Sequence, residues 1–348
     1  AGIGLLPRIA SATESRKIGY CIVGLGRISM GQFMPAVKMS DKSKITALVS
    51  GHRGKAERMA AEYGVPSGNI YNYQNYDEIR KNPDIDAVYI ALPNSMHAEY
   101  TTRAARAGKH VLCEKPMSTT VDDCRAMIQA CERADRKLMI AYRCQYEPTN
   151  LRAVQLIRDG KIGSIQSIES AFGFGIAPHE WRLEKKMSGG GPLVDVGIYC
   201  LNASRYLTGL EPAALKGISP VVDHDGRFAQ VEETLSWTMK CPNGALAACT
   251  CTYGGPMLGY FRVHGSQGTI MVEPAFNYDG LHLSAQLESG QAVDFAPNDP
   301  APRQFLREAN HMADCILQNK QPKTPGQEGL RDMELIEQIY RSCETQTD

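Results

Sequence analysis

Apolar positions fall in two rhythms along this chain, and the change of rhythm divides it. Up to about residue 145, short continuous apolar runs alternate with amphipathic stretches. The runs at 18–24, 44–50, 86–92, 109–113 and 137–142 read as strands, of which Asp86-Ala87-Val88-Tyr89-Ile90-Ala91-Leu92 is typical. Strands that are apolar on both sides suit a parallel sheet covered on both faces. Between them, 28–40, 54–63, 95–107 and 119–134 carry helical spacing, and Pro35 predicts a kink or a late start in the first. Beyond 145 the rhythm changes. Helical spacing at 149–159 and 192–207 mixes with strand patterns near 164–174, 214–222, 230–240, 245–253, 258–264 and 268–273. Leu235, Trp237 and Met239 alternate with Thr234, Ser236 and Thr238, a period of two that buries one face and leaves the other polar. Helical spacing returns at 305–317 and 328–343. The pattern predicts an α/β unit over 17–145, with a doubly wound parallel sheet. Over 146–348 it predicts an α+β unit, with a mainly antiparallel, open-faced sheet and helices on one side. Residues 1–16 lack strong periodicity and read as an arm.

One turn gives the first unit a chemistry. Gly24-Leu25-Gly26 directly follows the apolar run Ile18-Gly19-Tyr20-Cys21-Ile22-Val23. In a Rossmann-type doubly wound sheet this is where a dinucleotide pyrophosphate is held. The first glycine makes the turn and the second lets the backbone approach the phosphates. The helix opened by Arg27 and Ile28 offers free N–H groups and a positive dipole end. Ser29 stands at the third glycine position of the fingerprint. Gly173-Phe174-Gly175 shows that Gly-x-Gly also arises without this context. The end of the second strand selects the nucleotide. NAD wants an acidic residue there for the ribose 2′-hydroxyl. The chain has Ser50-Gly51-His52-Arg53-Gly54-Lys55, a hydroxyl and up to three basic groups. This points to NADP, whose 2′-phosphate a carboxylate would repel and Arg53 and Lys55 would attract.

Ligands of such sheets lie beyond the carboxyl ends of the strands. Leu92-Pro93-Asn94-Ser95-Met96-His97 and Glu114-Lys115-Pro116 both fall there, which makes Leu92, Pro93, Asn94, His97, Glu114 and Lys115 candidate cofactor contacts. Lys115, at the rim where the nicotinamide end should reach, is also a catalytic candidate. Far downstream, Gly189-Gly190-Gly191-Pro192 starts a helix on which Asp195 and Tyr199, four apart, share one face. A carboxylate and a phenol so placed are suited to grip a sugar hydroxyl and move its proton.

Composition narrows the alternatives. The 348 residues are too many for one small core. The formal net charge is zero and there is no basic tract, which argues against nucleic-acid or membrane-surface binding. No apolar run approaches ~20 residues, so no membrane span is expected. The 11 cysteines read as buried free thiols acting as small hydrophobes. With eight scattered histidines and no Cys-x-x-Cys, no metal site is expected.

In these features the chain resembles the glucose–fructose oxidoreductase and inositol dehydrogenase family. The resemblance rests on Val23-Gly24-Leu25-Gly26, the Leu92–His97 loop, Glu114-Lys115-Pro116 and the Asp195-x-x-x-Tyr199 helix, and runs from about Lys17 to the last helix. Inositol dehydrogenases usually carry His where this chain has Tyr199. Tyr199, Ser50 with Lys55, Tyr142-Arg143-Cys144 with Tyr146, and Trp181-Arg182-Leu183 are similar to the glucose–fructose branch. The resemblance implies a tightly held NADP that one sugar reduces and a second reoxidises, with an aldose converted at C1 to its lactone. It implies Lys115 and Tyr199 as the catalytic pair and Asp195 orienting the sugar. Arg143, Tyr146, Trp181 and Arg182 are implied to line the pocket or the nicotinamide side. It also implies a homodimer formed through the open sheet, an N-terminal arm closing over the cofactor, and export to the periplasm. The free thiols lean instead towards a reducing compartment such as the cytoplasm.

Tyr199 is the expected general base, made acidic enough by the Lys115 ammonium. A free phenol, with its pKa near ~10, is a poor base at neutral pH. The reverse assignment, Lys115 as base, stays open at this stage. So do two other functions: an ordinary NADP-dependent sugar or polyol dehydrogenase with exchangeable cofactor, and a non-catalytic NADP-binding regulator.

Overall fold

The computed structural model describes residues 16–344. The expected arm therefore lies, apart from Arg16, outside the described residues. The first unit holds six strands, β1 (Ile18–Val23), β2 (Ser43–Val49), β3 (Ile70–Tyr71), β4 (Ala87–Ile90), β5 (His110–Glu114) and β6 (Leu138–Ala141). All neighbours pair in parallel, in the order β3-β2-β1-β4-β5-β6. The chain reverses direction of winding between β1 and β4, which opens a crevice at their carboxyl ends. Both faces of β1 are buried, as its continuous apolar run requires. Tyr20 and Ile22 enter one core and Cys21 and Val23 the other. β3, only two residues long, left no readable pattern.

Helices α1 (Met34–Lys38), α2 (Arg53–Tyr63), α3 (His97–Arg106) and α4 (Val121–Arg133) flank this sheet. The chain is helical over 27–38, but Ser29–Phe33 is π-wound and α1 proper begins at Met34. Pro35 has no N–H to give, so the backbone ahead of it widens its turn instead of kinking. Phe33 stacks face to face on Tyr89, with ring centres 3.6 Å apart.

The second unit begins with α5 (Pro148–Arg158) and β7 (Ile165–Gly173), followed by the short α6 (Lys185–Ser188) and by α7 (Ile198–Thr208). Its remaining strands are β8 (Ala214–Ile218), β9 (Thr234–Lys240), β10 (Leu246–Thr252), β11 (Leu258–Gly265), β12 (Gly268–Val272), β13 (Leu283–Leu287) and β14 (Ala292–Phe295). They form one sheet in the order β14-β13-β12-β11-β7-β10-β9-β8. β7 sits in the middle, parallel to β10 and antiparallel to β11, and every other pair is antiparallel. Leu235, Trp237 and Met239 are buried and Ser236, Thr238 and Lys240 are exposed, so one face stays open as the alternation predicts. β8 stops at Ile218, short of the expected residue 222, because Pro220 cannot donate to a ladder. β13 and β14 are additions to the sequence reading.

The last two helices, α8 (Arg303–Leu317) and α9 (Gly326–Glu344), return to the first unit. Phe305, Ala309, Met312 and Ala313 of α8 join the core of Ile18, Tyr20, Leu48 and Met139. Between the two helices, Thr324 bonds Ile140 through its backbone carbonyl and its hydroxyl, closing the β6 edge. On α9, Asp332 is fully buried and pairs with Arg205 of α7 at 2.6 Å. Burial pushes its carboxyl up to about 6, against the pull of Arg205. An Arg205→Ala variant leaves this charge unpaired and is expected to lose about 3–5 kcal/mol. Because a raised carboxyl pKa contributes stability that is lost as pH rises, the loss grows from pH 5 to pH 8. Denaturant midpoints at the two pH values check both statements.

Candidate active site

The glycine turn is built as its spacing demands. Gly24 has φ +94°, and a Cβ there would lie 2.4 Å from the Ala91 carbonyl oxygen. A Cβ on Gly26 would meet nothing within 4 Å, so the turn borders open space. Ser29 is tolerated at the third position because its hydroxyl donates back to the Gly24 carbonyl at 2.5 Å. Lys55 donates to the Leu25 carbonyl at 3.3 Å, which brings a cation from the second βα turn onto the first. Ser50 accepts from the His52 N–H at 3.0 Å, while Arg53 is engaged by Glu57 at 2.7 Å. The donor set at the end of β2 is therefore a hydroxyl and cations, with the open space at Gly26 beside it. That chemistry fits a phosphorylated dinucleotide.

The rim loops behave differently from expectation. His97 is 1 % exposed, and its two ring nitrogens lie 2.9 Å from the carbonyls of Leu92 and Pro116. Burial lowers its pKa, against two acceptors that favour the charged ring. It is a strut between the Leu92 and Lys115 loops, not a surface offered to a nucleotide. The Asn94 amide donates to the Ser188 carbonyl at 2.8 Å, tying the rim to the second unit. Leu92 is buried and Pro93 half-buried beside them. Glu114 is half-buried under the rim, accepting from the Tyr89 hydroxyl at 2.6 Å, and desolvation raises its pKa.

The chemical centre forms where β5 meets the start of α7. Lys115 Nζ donates to the Asp195 carbonyl at 2.7 Å and to its Oδ1 at 3.1 Å. Asp195 lies in a π-wound turn, Leu193–Gly197, that leads into α7. Such widened turns recur at functional sites. Gly197 lets this turn press onto β10, since a Cβ there would be 2.9 Å from Cys251 Sγ. The approach brings Asp195 Oδ2 within 2.8 Å of the Tyr253 hydroxyl, which donates to it. Arg182 Nε forms an ion pair with the same oxygen at 3.0 Å. Burial alone would raise the Asp195 pKa. Lys115, Arg182 and the Tyr253 hydroxyl overcome it and hold the carboxyl down at about 2. Both oxygens of Asp195 are thus engaged within the protein, Oδ1 by Lys115 and Oδ2 by Tyr253 and Arg182.

Tyr199 lies beside this pair. Lys115 Nζ is 4.8 Å from its ring centre and the Arg143 guanidinium carbon 5.0 Å. Phe172 meets the ring edge-on at 5.2 Å. Burial pushes the Tyr199 phenol well above its ordinary range, with Arg143 the main opposing cation. The expectation of a phenol made acidic by Lys115 does not hold in this geometry, because desolvation wins. Arg143 is itself buried, and its Nη groups donate to Phe276 and Asn277 carbonyls and to Gln304 Oε1 at 2.6 Å. Its positive plane lies against Tyr199 and Tyr278, and a side-chain hydrogen bond joins it to Tyr199.

Tyr146 is not brought here. Its hydroxyl bonds Thr324 Oγ1 at 3.0 Å and its ring packs by His311, within the α8 core. Trp181 lies under the Arg182 guanidinium, 4.7 Å from ring centre to carbon. Arg27 is outermost and pairs with Glu180. Sequence reasoning missed Tyr253, Tyr278, Gln304 and Glu180, which carry no motif; only the end of the 245–253 alternation marked Tyr253 as a strand terminus.

Comparison with known proteins gives the family. Residues 18–142 match the model of an oxidoreductase family with an NAD-binding Rossmann fold, and residues 150–271 match the GFO/IDH/MocA C-terminal domain. The solved structure of aldose–aldose oxidoreductase from Caulobacter crescentus, complexed with glycerol, superposes with a TM-score of 0.91 at 42 % identity, over 95 % of this chain and 98 % of that one. D-xylose 1-dehydrogenase [NADP(+)] of Haloarcula marismortui is 33 % identical over 97 % of this chain and 94 % of its own length. A second D-xylose 1-dehydrogenase (NADP(+)), from Haloferax volcanii, is 30 % identical over 94 % of this chain and 97 % of its own. The chain is therefore an oxidoreductase and a member of the GFO/IDH/MocA family.

Proposed function

We propose that this protein is an NADP-dependent aldose oxidoreductase that keeps its cofactor bound through a sugar-to-sugar cycle. One aldose is oxidised at C1 to its lactone, and a second sugar is reduced to the alditol. The observation that carries this reading is the placement of Lys115, held by Asp195, with its Nζ 4.8 Å from the ring centre of the half-buried Tyr199. The 42 % likeness to aldose–aldose oxidoreductase supplies the substrate class. Gly24, Gly26 and Arg27 are the residues that would hold the diphosphate, and Ser50 and Lys55 the 2′-phosphate. Bound there, the nicotinamide supplies a hydride acceptor and donor.

The chain's own residues handle the proton and the charge. An ammonium has three N–H donors. Lys115 commits two to Asp195, which leaves one for the sugar C1 oxygen. With Lys115 held as a donor by Asp195, the proton passes to and from Tyr199. In the reductive half, Tyr199 donates its proton to the forming alkoxide. The phenolate then lies between the charges of Lys115 and Arg143. In the oxidative half it takes the C1 hydroxyl proton as the hydride leaves. Proton and hydride shuttle together, and a phenol that burial keeps neutral is spared ionisation towards bulk water in each cycle.

A cofactor-free test separates this from the second reading, an ordinary NADP-dependent dehydrogenase, which the two D-xylose 1-dehydrogenases favour. Purified protein is mixed with D-glucose and no nucleotide. Absorbance of reduced nicotinamide is expected to rise in proportion to protein and to fall on adding a second sugar. Steady turnover only when free NADP is present assigns the ordinary dehydrogenase. A homodimer through the open sheet face belongs to the same reading, and light scattering that gives the mass of one chain removes it.

A further inference from the structure

A line of alternating charges runs from the cofactor turn to the catalytic carboxylate. Arg27, directly after Gly26, pairs with Glu180 Oε1. Glu180 Oε2 lies 3.8 Å from Arg182 Nη1, and Arg182 Nε lies 3.0 Å from Asp195 Oδ2. Asp195 Oδ1 then pairs with Lys115 at 3.1 Å. The outer end of this line is exposed, 88 % at Arg27, and its inner end is largely covered, 15 % at Asp195 and 13 % at Lys115, with Glu180 and Arg182 between at 22 % and 33 %. Its two ends are the two places a dinucleotide must reach: the diphosphate turn of the first unit and the reacting centre at the cleft. Its middle belongs to the segment 174–184 of the second unit. His179, next to Glu180, has φ +64°, in the left-handed region a side chain rarely adopts. The segment is therefore turned sharply at the point where it delivers the carboxylate.

We propose that Glu180 is a positioning residue that fastens the 174–184 segment across the cofactor groove, so that the nucleotide leaves only when the Arg27–Glu180 contact opens. This deepens the captive-cofactor reading and rests on it. No residue of this segment needs to touch the reacting atoms. Glu180 acts through Arg27 on one side and Arg182 on the other. An exposed pair alone contributes little. The contribution here comes from joining two units whose separation is the exit route, so the effect appears in the rate of loss and not in folding.

The test measures nucleotide release. Protein loaded with NADPH is diluted into an excess of an unrelated NADPH-oxidising enzyme, and the decay of nicotinamide fluorescence gives the off-rate. Glu180→Gln is expected to release NADPH about fivefold faster than the parent chain, the size of effect an ion pair of this exposure provides. Arg27→Ala and the double variant complete a cycle in which the two effects do not add. Equal release from Glu180→Gln and a parent chain that retains NADPH overturns the latch and leaves the captive reading standing. Additive effects in the cycle overturn it as well. A parent chain that loses NADPH within the dead time overturns the captive reading, and the latch with it.

Discussion

Replacing Lys115 with methionine is expected to lower turnover by about two to three orders of magnitude, with the fold kept. The ammonium is a cation at the centre with two N–H groups engaged by Asp195 and a third left for the sugar. Charge developing on a sugar oxygen in so dry a site depends heavily on a fixed donor, and loss of one such donor costs about 10²–10³ in rate. Methionine keeps the length and most of the packing. Asp195 does not become an orphan, because Tyr253 and Arg182 still hold Oδ2. Stopped-flow measurement of each half-reaction checks this. Both halves are expected to slow together, since the ammonium stabilises the same oxygen in either direction. A variant with undiminished rates removes Lys115 from the chemistry.

Tyr199→Phe carries the second large effect. It removes one oxygen and keeps the ring that Phe172 and Arg143 hold. Loss of a placed acid–base group costs about 10²–10⁴ in rate. Because burial holds the phenol well above neutrality, the reductive half in the parent chain is expected to be flat from pH 6 to pH 9. A base made acidic by Lys115 would instead titrate within that window, and the reductive rate would fall as pH rose through its pKa. The pH profile thus tests the proton carrier independently of the size of the mutational effect. A Tyr199→Phe variant with parental turnover returns the proton to Lys115.

The parts of this protein legible in its sequence are those where one local cause dictates one local outcome. A run such as Ile18–Val23, apolar on both sides, has only a covered parallel strand to enter, and the glycines after it fit only a turn that opens on space. Lys115 and Asp195 were recoverable because the strand end and the helix start each fix a position. What joins them was not. Tyr253 ends an alternating strand as any core aromatic might, and nothing local says that its hydroxyl meets a carboxylate 58 residues earlier in the chain. The acidity of Tyr199 was misjudged for a related reason. Sequence gives the neighbouring charge but not the depth, and depth decided the sign. His97 sits on the right loop, yet both its ring nitrogens are engaged by Pro116 and Leu92, and Asn94 gives an N–H to Ser188. Tyr146, close to Arg143 in sequence, faces the opposite core because successive residues of a tight turn diverge.

The return of α8 and α9 to the first sheet bears on how the protein is made. During synthesis the nucleotide-binding half emerges first, yet the surface formed by Ile18, Tyr20, Leu48 and Met139 waits for Phe305, Ala309 and Met312 to cover it. The β6 edge likewise waits for Thr324. The ribosome must release nearly the whole chain before either surface is shielded, and apolar surface bared for that interval invites aggregation. Maturation is therefore all-or-none at the carboxyl end: a nascent chain truncated before α8 would be a client for chaperones, not a working nucleotide binder.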